Sequence, residues 1–174
     1  MQDPIILPYL EKVPQIDPTA WIAPGAVVIG DVIIGPESSV WYGTVIRGDI
    51  NRIRIGSRVN LQDGVICHVN EGDADLIIED NVSIGHAAVL HGCRLREGCL
   101  VGIGARVLDH AVIGTQSLVA AGSVVREGTR IADGELWAGI PAIKKRDLSP
   151  EDKQALRNTA EHYVQLRLHH AGIK

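Results

Sequence analysis

The sequence predicts an all-β fold: a parallel β-helix of hexapeptide repeats with one α-helix packed along it at the C-terminal end. Three observations carry that expectation. Aliphatic residues recur at every sixth position through Ile22, Val28, Ile34, Val40 and Ile46, a period that fits neither the 3.6 of a helix nor the 2 of a simple strand. The 174 residues include 19 glycines and 8 prolines but no phenylalanine, so the interior must be narrow and filled by Val, Ile, Leu and Ala rather than by large rings. Only beyond Ser149 does a helix start signal appear.

Taken in order, residues 1–20 are punctuated by Pro4, Pro8, Pro14 and Pro18 and read as an extended lead-in that cannot form a helix. Residues 21–142 carry the repeat. Its phase continues through Ile55, Leu61 and Cys67, then Ile78, Ile84 and Leu90, then Leu95, Val101, Val107, Ile113, Val119, Val125 and Ile131. Three breaks interrupt it: three extra residues between Ile46 and Ile55, five extra between Cys67 and Ile78, and one too few between Leu90 and Leu95. Each repeat supplies one short face and cannot bury its aliphatic residue alone; stacked repeats can. With three faces to a turn, each aliphatic residue lies above another on its own face at a strand spacing of about 4.8 Å. Gly30, Gly35, Gly85, Gly102 and Gly114 suit tight bends between faces.

Pro141 stops the pattern, and residues 143–174 read as a connector followed by the C-terminal helix. Lys144, Lys145 and Arg146 belong to the solvated connector. Ser149 is a good N-cap, Pro150 takes the first helical position, and Glu151 and Asp152 sit where the helix dipole favours negative charge. Leu156, Ala160, Tyr163 and Arg167 form a stripe that faces the coil of its own or a neighbouring subunit. The chain is a single domain overall.

A net charge of -4 leaves no electrostatic footprint for nucleic acid or an anionic membrane. No run approaches the roughly 18 apolar residues of a membrane span, and the start lacks a basic segment followed by an apolar one. Cys67, Cys93 and Cys99 are an odd count without paired spacing, as expected of small buried thiols in a reducing compartment, so the expected location is the cytosol.

The chemistry is carried by the histidines. Of the 7 present, His110, His162, His169 and His170 have no phase that singles them out. His68 follows Cys67 and His91 follows Leu90, three blocks apart once the five extra residues are looped out. Both therefore lie on one face, one coil apart, a separation that suits two imidazoles sharing an ion at Zn–N distances of about 2.0–2.1 Å. His86 falls one block earlier, on the adjacent face, where it is poorly placed to join them within one chain. Three β-helices around a threefold axis would bring His86 of one copy to the pair of the next; the plain alternative is outward histidines buried at a metal-free interface. A site of three imidazoles leaves a fourth position for water, whose pKa falls to about 7, and supplies hydroxide for a small electrophile such as carbon dioxide or for a polarised carbonyl.

The motifs Arg47-Gly48-Asp49, Asn60-Leu61-Gln62-Asp63, His68, Ile84-Gly85-His86 and His91 resemble those of the gamma-class carbonic anhydrase family, and the similarity runs from Ile22 through the C-terminal helix. The resemblance implies a left-handed β-helix and a homotrimer that hydrates carbon dioxide reversibly by a metal-bound hydroxide. His68 and His91 of one subunit and His86 of its neighbour would hold Zn2+, with Fe2+ or Co2+ as further candidates. Gln62 would bond the hydroxide or substrate oxygens with Asn60 close by, and Arg47 would pair with Asp49 and Asp63, one of these across the boundary.

The chain departs from the family's best-known active form at Ile50, where that form has a glutamate. A second acid survives as Glu71 in the short loop after His68, either a proton shuttle or simply a solvated loop acid. Tyr163 is carried over as a tyrosine facing the site, with packing as the alternative. Two other functions stay open: acyl-CoA thioester hydrolysis by the same hydroxide, and a trimeric metal-binding scaffold with little turnover. A hexapeptide acyltransferase, which typically needs one catalytic histidine, leaves the other metal-competent histidines unexplained.

Overall fold

The computed structural model describes residues 3–172; Met1 and Gln2 of the expected lead-in, and Ile173 and Lys174 of the expected C-terminal segment, lie outside them. Short parallel strands stack on three faces of a solenoid. Face I runs through the first halves of Val27–Ile34 and Val45–Ile55, then Ile66–His68, Val89–His91, Arg106–Val107 and Val124–Val125. Face II takes the second halves of the two long strands, then Leu76–Ile78, Arg94–Leu95 and Val112–Ile113. Face III holds Trp21–Ile22, Ser39–Val40, Asn60–Leu61, Ser83–Ile84, Leu100–Val101, Leu118–Val119 and Glu135–Gly139.

The hexad residues are the core. From Val28 to Ile131 each is at most 3% exposed, and only Ile22, at the open end, is partly covered. Fully burying a Val, Leu or Ile is worth about 1.5–3 kcal/mol, so a column of them on every face drives the stacking. A second inward position lies two residues before each hexad residue, filled by Ala26, Val32, Val59, Val65, Val82, Ala88, Cys93, Cys99, Ala105 and Ala111 among others. Where it is polar, the hydroxyl is satisfied: Ser38 Oγ donates to Gly56 O at 2.8 Å, Thr44 Oγ1 to Gln62 O at 2.9 Å and Ser117 Oγ to Ala132 O at 2.7 Å. The three thiols are free and buried; burial pushes the Cys67 and Cys99 thiols up, and that of Cys93 up to about 12.

The glycines act differently from the expectation. Of the five, only Gly30 has left-handed backbone, at φ +81°. Gly85, Gly102 and Gly114 are needed because a Cβ there would stand 2.6, 2.5 and 2.5 Å from backbone atoms of the next coil. Close approach between coils, rather than bending, excludes a side chain.

Both ends are more ordered than the sequence suggests. The lead-in is extended, and Ile5–Leu7 and Gln15–Ile16 pair in parallel with the long strand Val27–Ile34, adding to faces I and II. At the other end the expected connector contains a strand, Ala142–Asp147, that turns back antiparallel on Glu135–Gly139. Its polar pattern hid it: Lys144 Nζ reaches Glu135 Oε1 at 2.6 Å and Asp147 Oδ1 at 2.8 Å, so charged side chains stay on the outside while backbone bonds make the pairing.

Helix α1, Pro150–His170, starts with a reciprocal cap in which Asp152 N donates to Ser149 Oγ at 3.2 Å and Ser149 N to Asp152 Oδ2 at 2.9 Å. The Arg146 guanidinium holds the Asp152 carboxyl down at about 2. α1 lies on face III of its own chain, against Ser39–Val40, Asn60–Leu61 and Ser83–Ile84. It buries Leu156, Ala160, Val164 and Arg167, with Tyr163 half-buried beside them. Arg167 Nη1 donates to Thr19 O at 2.9 Å, fastening the helix to the first coil. Among the described residues no helix is long and apolar enough to cross a membrane.

Candidate metal centre

The sequence-predicted site residues fall into two clusters on two faces. The first is on face I. His68 and His91 are direct register partners on adjacent strands, and His68 Nδ1 stands 3.1 Å from His91 Nε2. Asp49 Oδ1 faces His68 Nε2 at 3.0 Å, and Arg47 closes on the other oxygen of Asp49. Beneath them Asp109 Oδ1 faces His91 Nδ1 at 2.5 Å, while Asn70 Nδ2 donates to Asp109 Oδ2 at 3.2 Å.

These contacts assign the ring protons. A carboxylate accepts hydrogen bonds only, so the neutral His68 ring carries its proton on Nε2 and the neutral His91 ring on Nδ1. The nitrogens that face each other are then both lone-pair donors. Two lone pairs 3.1 Å apart repel each other, and that separation is close to the edge of about 3.3 Å of a tetrahedron drawn at Zn–N distances. The pair therefore fits a shared cation. Carboxylate-backed imidazoles are also the usual arrangement for metal-binding histidines. Burial opposes ionisation of Asp49, but hydrogen bonds from His68 and Arg47 outweigh it and hold the carboxyl low. For Asp109, burial is likewise outweighed, here by His91 and Asn70.

The second cluster lies at face III and the turn after it. Gln62 and Asn60 are buried on neighbouring positions; Gln62 Nε2 donates to Asn60 Oδ1 at 3.1 Å, and Asn60 Nδ2 to Ser83 Oγ at 2.8 Å. Asp63 Oδ2 faces His86 Nδ1 at 2.9 Å, leaving His86 Nε2 as its free nitrogen. Tyr163 packs edge-on against Trp41, with ring centroids 5.3 Å apart. Burial first, and the charge of Asp63 second, push its phenol up. An apolar groove of about 460 Å³ opens beside Gln62, lined by Leu100, Ile103 and Leu118 with the small Gly85, Gly102 and Ala120.

Within one chain the structure brings Arg47, Asp49, His68 and His91 together, and separately Asn60, Gln62, Asp63 and His86. Arg47 pairs with Asp49, whereas Asp63 is held by His86. Among the described residues, no group of three or more metal-ligating side chains forms in one chain. Glu71 is exposed in its loop, and Ile50 is exposed beside Asp49. Sequence reasoning missed Asp109, Asn70 and Ser83. Asp109 had only a partial signal: the residue missing between Leu90 and Leu95 makes this coil seventeen residues long, so Leu108 is the position level with His91 and Asp109 falls one place further on, in the turn.

Fold and donor set together define a hexapeptide-repeat solenoid with a candidate metal centre divided between two faces. The family model described as "Bacterial transferase hexapeptide (six repeats)" matches residues 14–48. The mitochondrial gamma carbonic anhydrase 2 of Arabidopsis thaliana is 43% identical over 167 residues, covering 93% of this chain and 60% of the relative, so the chain spans about 60% of that relative's length. A carbonic anhydrase of Geobacillus kaustophilus is 42% identical over 92% of this chain and 88% of its own. Among solved structures, the product of the BC4754 gene of Bacillus cereus superposes with a TM-score of 0.96 at 38% identity, covering 99% of this chain and 100% of its own. The chain belongs to the gamma-class carbonic anhydrase family.

Proposed function

We propose that the protein is a carbonic anhydrase-like lyase that hydrates carbon dioxide reversibly, assembled as a homotrimer with a metal centre at each subunit boundary. One observation carries the reading: His68 Nδ1 and His91 Nε2 turn lone pairs toward each other at 3.1 Å, each ring backed by a carboxylate. His68 and His91 hold the metal from one side, and His86 of a neighbouring copy supplies the third imidazole through Nε2. The donor set of three neutral imidazoles suits Zn2+ and accepts Fe2+ or Co2+. When bound, the metal supplies a Lewis acid that lowers the pKa of a water from 15.7 to about 7.

The remaining tasks belong to the chain's own residues. Gln62 has its amide N–H engaged by Asn60, so its Oε1 is the end left to accept a hydrogen bond from a substrate or water O–H and orient it. Asn60, fixed by Ser83, keeps Gln62 in that pose. Arg47 neutralises Asp49 in its own subunit and faces Asp63 of the neighbour. Glu71, on the solvated loop next to Asn70, takes the proton to bulk water. Tyr163 stays protonated and serves as a wall of the site against Trp41. A cytosolic setting agrees with three buried, unpaired thiols.

A second reading, acyl-CoA thioester hydrolysis, draws on the apolar groove beside Gln62, whose Leu100, Ile103 and Leu118 lining suits an alkyl chain better than carbon dioxide. A metal-loaded trimeric scaffold is the third. Elemental analysis of protein purified with and without oxygen, followed by stopped-flow hydration and an acyl-CoA panel, separates the three. Hydration that follows metal content and disappears in His91→Ala supports the proposal. Hydration unchanged by His86→Ala overturns the ligand set.

A further inference from the structure

We infer that Asp109, held by Asn70, is the positioning residue that fixes the tautomer and orientation of His91, and that the looped-out segment after His68 serves to hold it there. The inference rests on the metal-centre reading given above. Asp109 stands in the turn just after the strand Arg106–Val107 that pairs with Val89–His91, and its Oδ1 lies 2.5 Å from His91 Nδ1. Without a carboxylate at that nitrogen, the proton of a neutral imidazole is free to sit on either ring nitrogen. With it, the proton is held on Nδ1, and Nε2 keeps the lone pair aimed at His68.

A carboxylate on a single contact could still rotate. Asn70 removes that freedom by donating to the second oxygen of Asp109 at 3.2 Å. Asn70 opens the five-residue insertion, and the insertion is itself tied down: Asn51 Nδ2 donates to Gly72 O at 2.9 Å, and Arg52 Nε to Asp75 Oδ2 at 2.5 Å. The line of support thus runs from the first break in the repeat, through the second, to Asp109 and then to a ligand. His68 receives the corresponding service from Asp49, directly from the first break.

The test compares Asp109→Asn and Asp109→Ala with wild type and His91→Ala, each as the full-length protein. Zinc affinity is measured by competition with a chromophoric chelator, and the histidine tautomers of metal-free protein by long-range 1H–15N NMR. Loss of a hydrogen-bonded backing group typically weakens metal binding 10–100-fold. Expected are a weakening of that order in Asp109→Ala, a smaller one in Asp109→Asn, whose amide oxygen still accepts from Nδ1–H, and loss of the single His91 Nδ1–H tautomer in the alanine variant. Metal-free thermal midpoints within a few degrees of wild type exclude a merely structural effect. If wild type and His91→Ala bind zinc alike, the metal-centre reading itself fails. If wild type binds through His91 but Asp109→Ala matches it in affinity and tautomer, the positioning role is overturned.

Discussion

The coils from Leu95 to Ile131 keep the six-residue step without interruption, whereas those between Ile46 and Leu95 contain all three breaks. Both regions bury the same column of aliphatic residues. They differ in what their outer surfaces hold. The regular coils present mostly single side chains at repeating outward positions, while the interrupted coils carry His68, His86, His91, Asp49, Gln62 and the tethered loop. Identical hexads stabilise the stack because each coil repeats the last. Chemistry needs side chains that converge, and a repeat places them in parallel rows. The extra residues after Ile46 and Cys67 free Asp49, Asn51 and Asn70 from those rows and let them turn toward a ring or a loop carbonyl.

That division can be broken first on the regular side. Ile113 is fully buried in an uninterrupted coil, and Ile113→Ala is expected to cost about 2–5 kcal/mol in urea unfolding at fixed protein concentration. Metal bound per folded chain should not change. A matching fall in metal content would show that the two regions are coupled after all.

At the base of the stack, acid probes the helix start. The Asp152 carboxyl is held down at about 2 by the Arg146 guanidinium, so its contribution is complete above the ordinary value of 3.8 and disappears as pH falls from about 4 to about 2. Helical circular dichroism is expected to decline across that window, with a smaller decline in Asp152→Asn. An identical acid profile in the variant would remove Asp152 from the helix's acid response.

The smallest effect belongs to the interrupted side. The Arg52–Asp75 pair is partly exposed, and Arg52→Ala should change global stability by less than about 1 kcal/mol. Limited proteolysis should nonetheless cut faster in the loop 70–75 than elsewhere, because the variant loses the loop's tether and not its core. Cleavage unchanged there would mean that the contacts of Asn51 with Gly72 and of Asn70 with Asp109 hold the loop without Arg52.

Much of the fold was legible because burial is periodic: nearly every residue on the six-residue phase is inside. The second inward column was not, since Ala, Ser, Thr and Cys alternate there with Val and blur the hydrophobic signal. The strand Ala142–Asp147 was hidden by its charges, since edge pairing is made by backbone groups whatever the side chains. In the site, the phase count put His68 beside His91 and His86 elsewhere, as the register has it. It could not find Asn70, whose contact depends on how an aperiodic loop folds back, nor foresee that the Gln62 amide is oriented through Asn60 by Ser83.

The central claim is that neither cluster is a site alone and that two copies complete it. Mixing His86→Ala with His91→Ala subunits tests this most directly, because each variant by itself lacks a ligand at every boundary. In a closed threefold ring, every mixed trimer regains one intact boundary of three, so random co-assembly should restore about a quarter of wild-type zinc content. Zinc content that stays at the level of the separate variants after subunit exchange would contradict a shared centre and return the metal to a single chain.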